Sequence, residues 1–351
     1  MKGLVLIWGF LGKYKLRRFF STFQYIFHFK GTVVAYPLRV SLLDMAETPT
    51  TNKVHFYLYT ASNPEEPQEL SIGDVDSVKK SLFDKSRHTK VLIHGWGGNY
   101  TTSPNGLLRR AYFKQQDYNI ISVDWYPYAK LNYLSARAKV PVVGENIAEF
   151  LDFLNEQFQL SFDKVVVIGH SMGAHAAGFS GKLVKRGNIA AIVSLDAASP
   201  LYDYNSPDTR ISSDDAKFVL SIHTNGNLKG FLNPIGTASF YPNWGRVQPG
   251  CGLDLDGACS HSRSVTLFAE AVRGYSFAPI YGCGDFTEVS SKSGCNQSAT
   301  HVEFGDPLQI DQNAGMYYFT TNAASPFGVL IERRNKASAS VAEYTVDDRD
   351  V

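Results

Sequence analysis

The chain has 351 residues, of which 44% are hydrophobic and 19% charged, and its formal net charge is +1 at pH 7. This is the composition of a folded protein with one large α/β domain or two small ones, and it excludes a mainly disordered chain. Long-range attraction of nucleic acid or of a strongly acidic substrate needs a charge imbalance that this chain lacks. Nucleic acid is therefore not an expected partner.

Residues 1–50 are interpreted as a leader or an irregular N-terminal segment. The apolar run 3–12 follows a basic residue, as in a secretory signal peptide, but the basic run 13–18 stands where a cleavage site is expected. The aromatic stretch 19–29 is too short and too polar to span a bilayer. We expect a secreted protein, with cleavage after Ala35 as one option and a membrane anchor as the alternative.

Residues 51–334 show the pattern of an α/β protein. A first strand is predicted within 55–60, and each of five later apolar runs is typical of a strand covered on both faces of a parallel sheet. These runs are 90–96, 119–125, 164–169, 189–196 and 217–224. The clearest helix is predicted over 141–159, with Pro141 at its start. Strand and helix alternate to about residue 275, which indicates an α/β fold with a doubly wound, mostly parallel sheet and helices on both faces.

The C-terminal part holds late or edge strands, predicted in 315–322 and 327–334, and a polar tail, 335–351, predicted to be disordered. Four cysteines precede these strands, namely Cys251, Cys259, Cys283 and Cys295. No spacing among them is that of a zinc site, so we expect two disulfides and an oxidising compartment. Pairing in sequence order is favoured because it closes short loops. Sequons at Asn99 and Asn296 are compatible with secretion.

One stretch passes from a predicted buried strand directly into a sharp turn made of residues with small side chains. GHSMG, residues 169–173, matches the G-x-S-x-G nucleophile elbow and has a strand before it and a helix pattern after it, as that motif requires. Glycines flank the serine because its strained backbone leaves no room for neighbouring side chains. The helix N-terminus then directs its free N–H groups towards an anion formed beside Ser171. The alternative is an ordinary Gly/Ser turn.

A serine nucleophile needs a base, and the base needs an orienting carboxylate, in the chain order Ser, Asp, His for this fold class. Asp196 ends the next apolar run and emerges at the same sheet edge as Ser171, although a helix cap is the alternative role. Of the histidines that follow, His223 ends a buried run and is interpreted as structural, while His301 has no sheet edge to place it. His261, in a loop tethered by a predicted disulfide, is the predicted base.

The oxyanion that forms on the substrate needs backbone N–H donors. One is expected from Met172, the residue after the nucleophile, and the second from the glycine-rich loop after run 90–96, where Trp96 is the candidate. Taken alone, Trp96 and the neighbouring His94 would be interpreted as packing residues.

Together these motifs resemble the animal pancreatic-lipase-type family. HGW, GHSMGAHAAGFSGK, SLDAASP, IHTN, FYPNWGRVQPGC and CSHSRS follow one another in that family's order, over about residues 90–295. The resemblance implies an α/β-hydrolase fold, hydrolysis of carboxylic esters in lipids, and the same roles for Ser171, Asp196 and His261. It implies a lipid substrate at a membrane or lipid-droplet surface as the partner, and no cofactor is needed.

Differences from the family's pattern narrow the expected substrate. Pancreatic lipases carry a C-terminal β-sandwich domain, for which this chain ends too soon. The family's lid lies between the first two cysteines and here has only seven residues, namely Gly252, Leu253, Asp254, Leu255, Asp256, Gly257 and Ala258. So short a loop cannot fold over an acyl groove, and the segment between His223 and Phe240, which borders the groove, is also short. The short lid resembles the insect and venom phospholipase A1 branch and some short-lidded insect lipases, and the short second segment agrees with a phospholipase.

Two further differences concern the groove wall and a metal site. GTASFYPN, residues 236–243, lacks a histidine and an aspartate of the family's pattern, whereas LDAASP, residues 195–200, keeps the aspartate. The calcium site of pancreatic members falls near 210–215, where Ser212 stands at an acidic position, so no metal is predicted.

The expected function is therefore that of a secreted phospholipase A1, which releases a fatty acid through an acyl-enzyme. One alternative is a neutral triacylglycerol or galactolipid lipase. The other is a catalytically silent lipid-binding or yolk-type protein on the same scaffold.

Overall fold

The structure is a computed structural model that describes residues 22–29, 32–39 and 53–330. Most of the predicted leader and all of the predicted tail, 335–351, lie outside the described residues. Within those residues, no helix has the length and apolar character needed to cross a membrane.

Fifteen strands and seven α-helices make up the described part of the chain. The strands are β1 (Thr22–Phe29), β2 (Thr32–Arg39), β3 (His55–Tyr59), β4 (Gln68–Leu70), β5 (Thr89–Ile93), β6 (Asn119–Asp124), β7 (Val165–His170), β8 (Ala191–Leu195), β9 (Phe218–Ile222), β10 (Ala238–Pro242), β11 (Tyr275–Ser276), β12 (Tyr281–Cys283), β13 (Gln297–Ser298), β14 (Gly315–Phe319) and β15 (Val329–Leu330). The helices are α1 (Val75–Lys79), α2 (Asn105–Phe113), α3 (Tyr126–Ala129), α4 (Tyr133–Phe158), α5 (Met172–Leu183), α6 (Ala258–Val272) and α7 (Phe286–Ser291).

An eleven-stranded sheet forms the centre of the fold, in the order β13-β12-β14-β10-β9-β8-β7-β5-β6-β3-β4. The strands from β14 to β6 are parallel, and the strands beyond them at both edges pair antiparallel. This arrangement confirms the predicted mostly parallel sheet. Strands β1 and β2 pair only with each other, and β11 pairs with β15 in a separate two-stranded sheet.

Helices cover both faces of the sheet because side chains alternate along each buried strand. On one face, Val91 and Val167 pack with Ile147 and Phe150 of α4 and with Ala174 of α5. On the other face, neighbouring residues of the same strands pack against apolar side chains of α2 and α6. Both faces of the central strands are therefore dry, which explains their near-continuous apolar sequences.

Two sequence-based predictions differ from the structure. Helix α4 begins at Tyr133, not at 141, so Pro141 lies inside it, and Asn132 caps its start by accepting the N–H of Ser135. No α-helix separates β8, β9 and β10. The connections are residues 196–217, which include a 3-10 turn at Pro207–Thr209, and residues 223–237, so the predicted alternation stops early. Of the predicted late or edge strands, β14 is a late strand inside the sheet, since β10 and β12 flank it.

Candidate active site

Ser171 lies at the sharp turn between β7 and α5. Its backbone is strained, with φ 57° and ψ −123°, a region that residues with side chains seldom adopt. The flanking glycines allow this turn, because a Cβ on Gly169 would lie 2.1 Å from the carbonyl oxygen of Gly173, and one on Gly173 would lie 2.5 Å from that of His94. The Ser171 N–H donates to the carbonyl of Leu195 at 3.1 Å, which fixes the turn beside the end of β8.

Asp196 directly follows β8 and is completely buried. Its Oδ1 accepts two backbone N–H groups, from Thr224 at 2.7 Å and from Asn225 at 3.1 Å. Its Oδ2 lies 2.6 Å from Nδ1 of His261. Three donors thus hold a buried carboxylate in one orientation. Gly230 packs so closely that a Cβ there would lie 2.4 Å from Oδ1.

His261 lies in the first turn of α6, and the prediction that it belongs to a loop is wrong. Helix α6 begins before His261, earlier than predicted, because Gly257 takes a left-handed conformation, with φ 71°, and because Asp254 caps the helix. The Asp254 carboxylate accepts the N–H groups of Cys259 at 3.1 Å and Ser260 at 2.8 Å. The predicted base is therefore held by a helix that the lid residue Asp254 caps.

The serine hydroxyl itself forms no hydrogen bond with the residues that the structure describes. Its neighbour His170 connects the turn of Ser171 with the first turn of α6, because the centroids of the His170 and His261 rings are 4.6 Å apart. The predicted nucleophile, carboxylate and base thus all lie at the carboxyl edge of the sheet. In enzymes without bound substrate the bond between nucleophile and base is often long or poorly aligned.

The two predicted oxyanion donors have N–H groups that bond to no other described residue. Met172 is the first residue of α5, so its N–H has no partner within the helix. Trp96 is fixed by its side chain, whose Nε1–H donates to the carbonyl of Leu131 at 2.7 Å. The preceding His94 is buried and accepts the N–H of Trp125 at 3.2 Å. The loop that carries Trp96 is therefore anchored on both sides.

Both disulfides have the predicted pairing, Cys251 with Cys259 and Cys283 with Cys295. The first one closes the seven-residue lid. Within this lid the side chains alternate in direction: Leu253 is 84% and Leu255 78% exposed, while Asp254 and Asp256 bind the chain. Besides the cap formed by Asp254, Oδ1 of Asp256 accepts the N–H of Ala258 at 3.2 Å. The predicted lid is therefore a loop held by its two aspartates and its disulfide, with two exposed leucines.

The region near residues 210–215 does not fit a calcium ion. The ammonium of Lys182 binds the carboxylate of Asp215 and lies 2.8 Å from the hydroxyl of Ser212. A positive side chain thus stands where a cation would bind. Among the described residues, no group of three or more histidine, cysteine, aspartate or glutamate side chains could hold a metal ion.

The remaining histidines have structural roles or lie apart from the site. His223 is buried between the carbonyl of Phe231 and the hydroxyl of Ser221, each at 2.8 Å. His175, on α5, lies 2.7 Å from the carbonyl of Ala198 and accepts the N–H of Ile211. His301 is exposed. Sequence reasoning missed the two backbone donors to Asp196 and the contact of His170 with His261, for which the sequence has no signal beyond the motifs themselves.

Acid should destabilise the protein through these buried histidines. Burial is the main cause that lowers the pKa of His175 to about 3 and that of His223 to about 4. The unfolded chain takes up these protons below about pH 6.5, so stability is complete above that pH and is lost as the pH falls towards 4. We expect denaturant midpoints to fall over this range. His175→Gln should reduce the slope of the free energy of unfolding against pH by about 1.4 kcal/mol per pH unit. His301→Gln should leave that slope unchanged. An equal slope in all three proteins would contradict the prediction.

The chain is similar in sequence to known lipases. A family model described as lipase matches residues 33–327. Lipoprotein lipase of Gallus gallus is 35% identical over 307 residues, covering 78% of this chain and 61% of that protein. Pancreatic triacylglycerol lipase of Cavia porcellus is 30% identical, and the match covers 80% of this chain and 66% of that protein. Hepatic triacylglycerol lipase of Homo sapiens is 31% identical, and the match covers 83% of this chain and 64% of that protein.

The chain thus spans less than two thirds of the length of each of these relatives. The family match nevertheless covers most of the chain, and it contains the elbow, the buried carboxylate and the helix that carries His261. The protein therefore belongs to the lipase family.

Proposed function

We propose that the protein is a secreted serine ester hydrolase that acts as a phospholipase A1, with residues 51–334 as its catalytic domain. The observation that carries the catalytic part is the hydrogen bond of 2.6 Å between His261 Nδ1 and Asp196 Oδ2, at the sheet edge where the elbow presents Ser171. The two disulfides support secretion, because such bonds persist in oxidising compartments.

The reaction follows from this arrangement. The Ser171 hydroxyl attacks the acyl carbonyl and passes its proton to Nε2 of His261, while Asp196 accepts the Nδ1–H and stabilises the imidazolium. The N–H groups of Trp96 and Met172 stabilise the oxyanion. His261 then protonates the departing alcohol, which leaves an acyl-enzyme. Water, deprotonated by His261, cleaves the acyl-enzyme and frees the fatty acid.

The short lid supports a phospholipid substrate. Seven residues closed by a disulfide and pinned by Asp254 leave the groove without a mobile cover, so the polar head group can lie at the mouth of the site in contact with water. The exposed Leu253 and Leu255 lie in the loop that leads into α6, the helix that carries His261, and suit contact with the acyl region of a lipid surface. A long mobile lid would instead enclose a substrate that is apolar throughout.

A triacylglycerol lipase is the second candidate. It is favoured by the relatives, two of which are named triacylglycerol lipases. The lid geometry and the relatives thus favour different substrates for the same chemistry.

The deciding experiment gives the purified protein sn-1 labelled phosphatidylcholine and labelled triacylglycerol in parallel, with Ser171→Ala as the control. We expect label to be released from the phospholipid and not by the control. Release from triacylglycerol alone would replace phospholipase A1 with the second candidate. If neither substrate reacts and a serine-reactive phosphonate fails to label a protein that still binds lipid, the protein is a silent lipid carrier.

A further inference from the structure

We infer that His170 is a positioning residue that, together with Asp196, holds the catalytic base in place. This inference rests on the proposed function, since it assigns a role within the same site. His170 ends β7 and pairs with Leu195 of β8 in the sheet register, so β8 holds its backbone in place. Its ring reaches across to the first turn of α6.

Two contacts join the histidines. The Nε2 atom of His170 lies 3.3 Å from the backbone carbonyl of His261, and the ring centroids are 4.6 Å apart with a tilt of 44°. Because a carbonyl only accepts hydrogen bonds, Nε2 of His170 carries the proton. The hydroxyl of Ser264 donates to the same carbonyl at 3.0 Å. The backbone and the ring of the base are therefore both in contact with His170.

The electrostatic setting suits this role. Burial, followed by the charge of His261, lowers the pKa of His170 to about 3, so the ring is neutral at pH 7. A neutral ring does not repel the imidazolium that forms on His261 during catalysis. The other charged groups around the pair are Asp196, hydrogen-bonded to Nδ1 of His261, and Lys229, a more distant positive charge.

Asp196 and His170 contact different parts of the base. Asp196 fixes Nδ1, and His170 fixes the carbonyl and one flank of the ring. Nε2 of His261 then remains to face the nucleophile. Without the His170 donor, the first turn of α6 can shift, the bond from Nδ1 to Asp196 lengthens, and the base loses part of its proton affinity.

Two variants separate the hydrogen bond from the ring. His170→Phe keeps a flat ring of similar size and removes the donor, while His170→Gln keeps an N–H donor and removes the ring. For each protein, active sites are counted by phosphonate labelling, and kcat, KM and the pH dependence of kcat are measured per labelled site. Melting temperatures report any loss of stability separately.

We expect His170→Phe to lower kcat about tenfold with little change in KM, as loss of one orienting hydrogen bond would, and to move the acid limb of the pH profile to lower pH. His170→Gln should restore most of kcat. Combining His170→Phe with Ser264→Ala, which removes the other donor to the same carbonyl, should lower kcat by more than the product of the single effects.

The inference is overturned if both variants keep kcat within twofold of the native value and an unchanged acid limb, even if their melting temperatures fall. The same holds if the variants of His170 and Ser264 act independently. If His170→Phe does not fold, His170→Leu, which also removes the donor, takes its place in both measurements. A native protein that hydrolyses no ester would instead refute the proposed function.

Discussion

Ser171→Ala is expected to lower kcat for ester hydrolysis by about 10⁶-fold, because the acyl-enzyme cannot form without the hydroxyl. The turn itself should survive the change. Its strained backbone is determined by the close contacts of Gly169 and Gly173 and by the hydrogen bond from the Ser171 N–H to Leu195, none of which uses the hydroxyl. Lipid binding and melting temperature should therefore change little while turnover disappears.

A matched control is available two residues before Asp196. Ser194 is buried in β8, and its hydroxyl has no hydrogen-bond partner within the described part of the chain. Ser194→Ala should thus leave kcat within twofold of the native value. Turnover is measured with a chromogenic short-chain ester and with lipid. If Ser171→Ala retained more than about one hundredth of native kcat, a different nucleophile would have to be sought.

Asp196→Asn is expected to lower kcat by about 10⁴-fold, the loss typical of a base held in the wrong tautomer. The structure gives a specific reason. Thr224 and Asn225 both direct N–H groups at Oδ1, so the amide of the variant must place its oxygen there. Its NH₂ group then faces Nδ1 of His261 and donates to it, which forces the imidazole proton onto Nε2. In that tautomer the ring cannot accept the serine proton.

Asp256→Asn provides the comparison for this variant, because Asp256 is an exposed lid residue that caps Ala258 with an oxygen that the amide retains. It should have native kcat. Activity is followed over a range of pH, since hydroxide can replace part of the missing base catalysis at alkaline pH. A loss smaller than tenfold in Asp196→Asn would show that the carboxylate does not orient the base.

Much of the central sheet could be predicted from the sequence because buried parallel strands are both short and apolar on two faces. The runs at 90–96, 164–169 and 189–196 contain most of β5, most of β7 and all of β8, with boundary errors of one to three residues. The elbow could be predicted for a related reason: one glycine on each side of a serine, between a strand and a helix, satisfies a steric need that few other sequences meet. The disulfide pairing followed from the short loops that it closes.

Other features depend on contacts that local sequence does not reveal. Pro141 is typical of a helix start, but α4 passes through it because residues such as Ala136 and Val140 extend its buried face. Packing of that face outweighs the hydrogen bond that the proline removes. The backbone donors that hold Asp196 come from the turn after β9, and any residue type could have provided them.

The position of His261 within α6 is an intermediate case. Asp254 and Asp256 precede the helix and bind its first N–H groups, a capping pattern that sequence can show. The short spacing between the cysteines instead favoured a loop. The two carboxylates of the predicted lid thus also determine where α6, the helix of the predicted base, begins.

The backbone of Ser171 has a consequence for how this protein can change over time. A conformation with φ 57° and ψ −123° costs about 1–3 kcal/mol in a residue with a side chain, and glycine adopts it at a lower cost. A glycine at this position would give a sturdier fold without a nucleophile. Selection for robustness alone therefore favours loss of the serine, and only selection for turnover retains it.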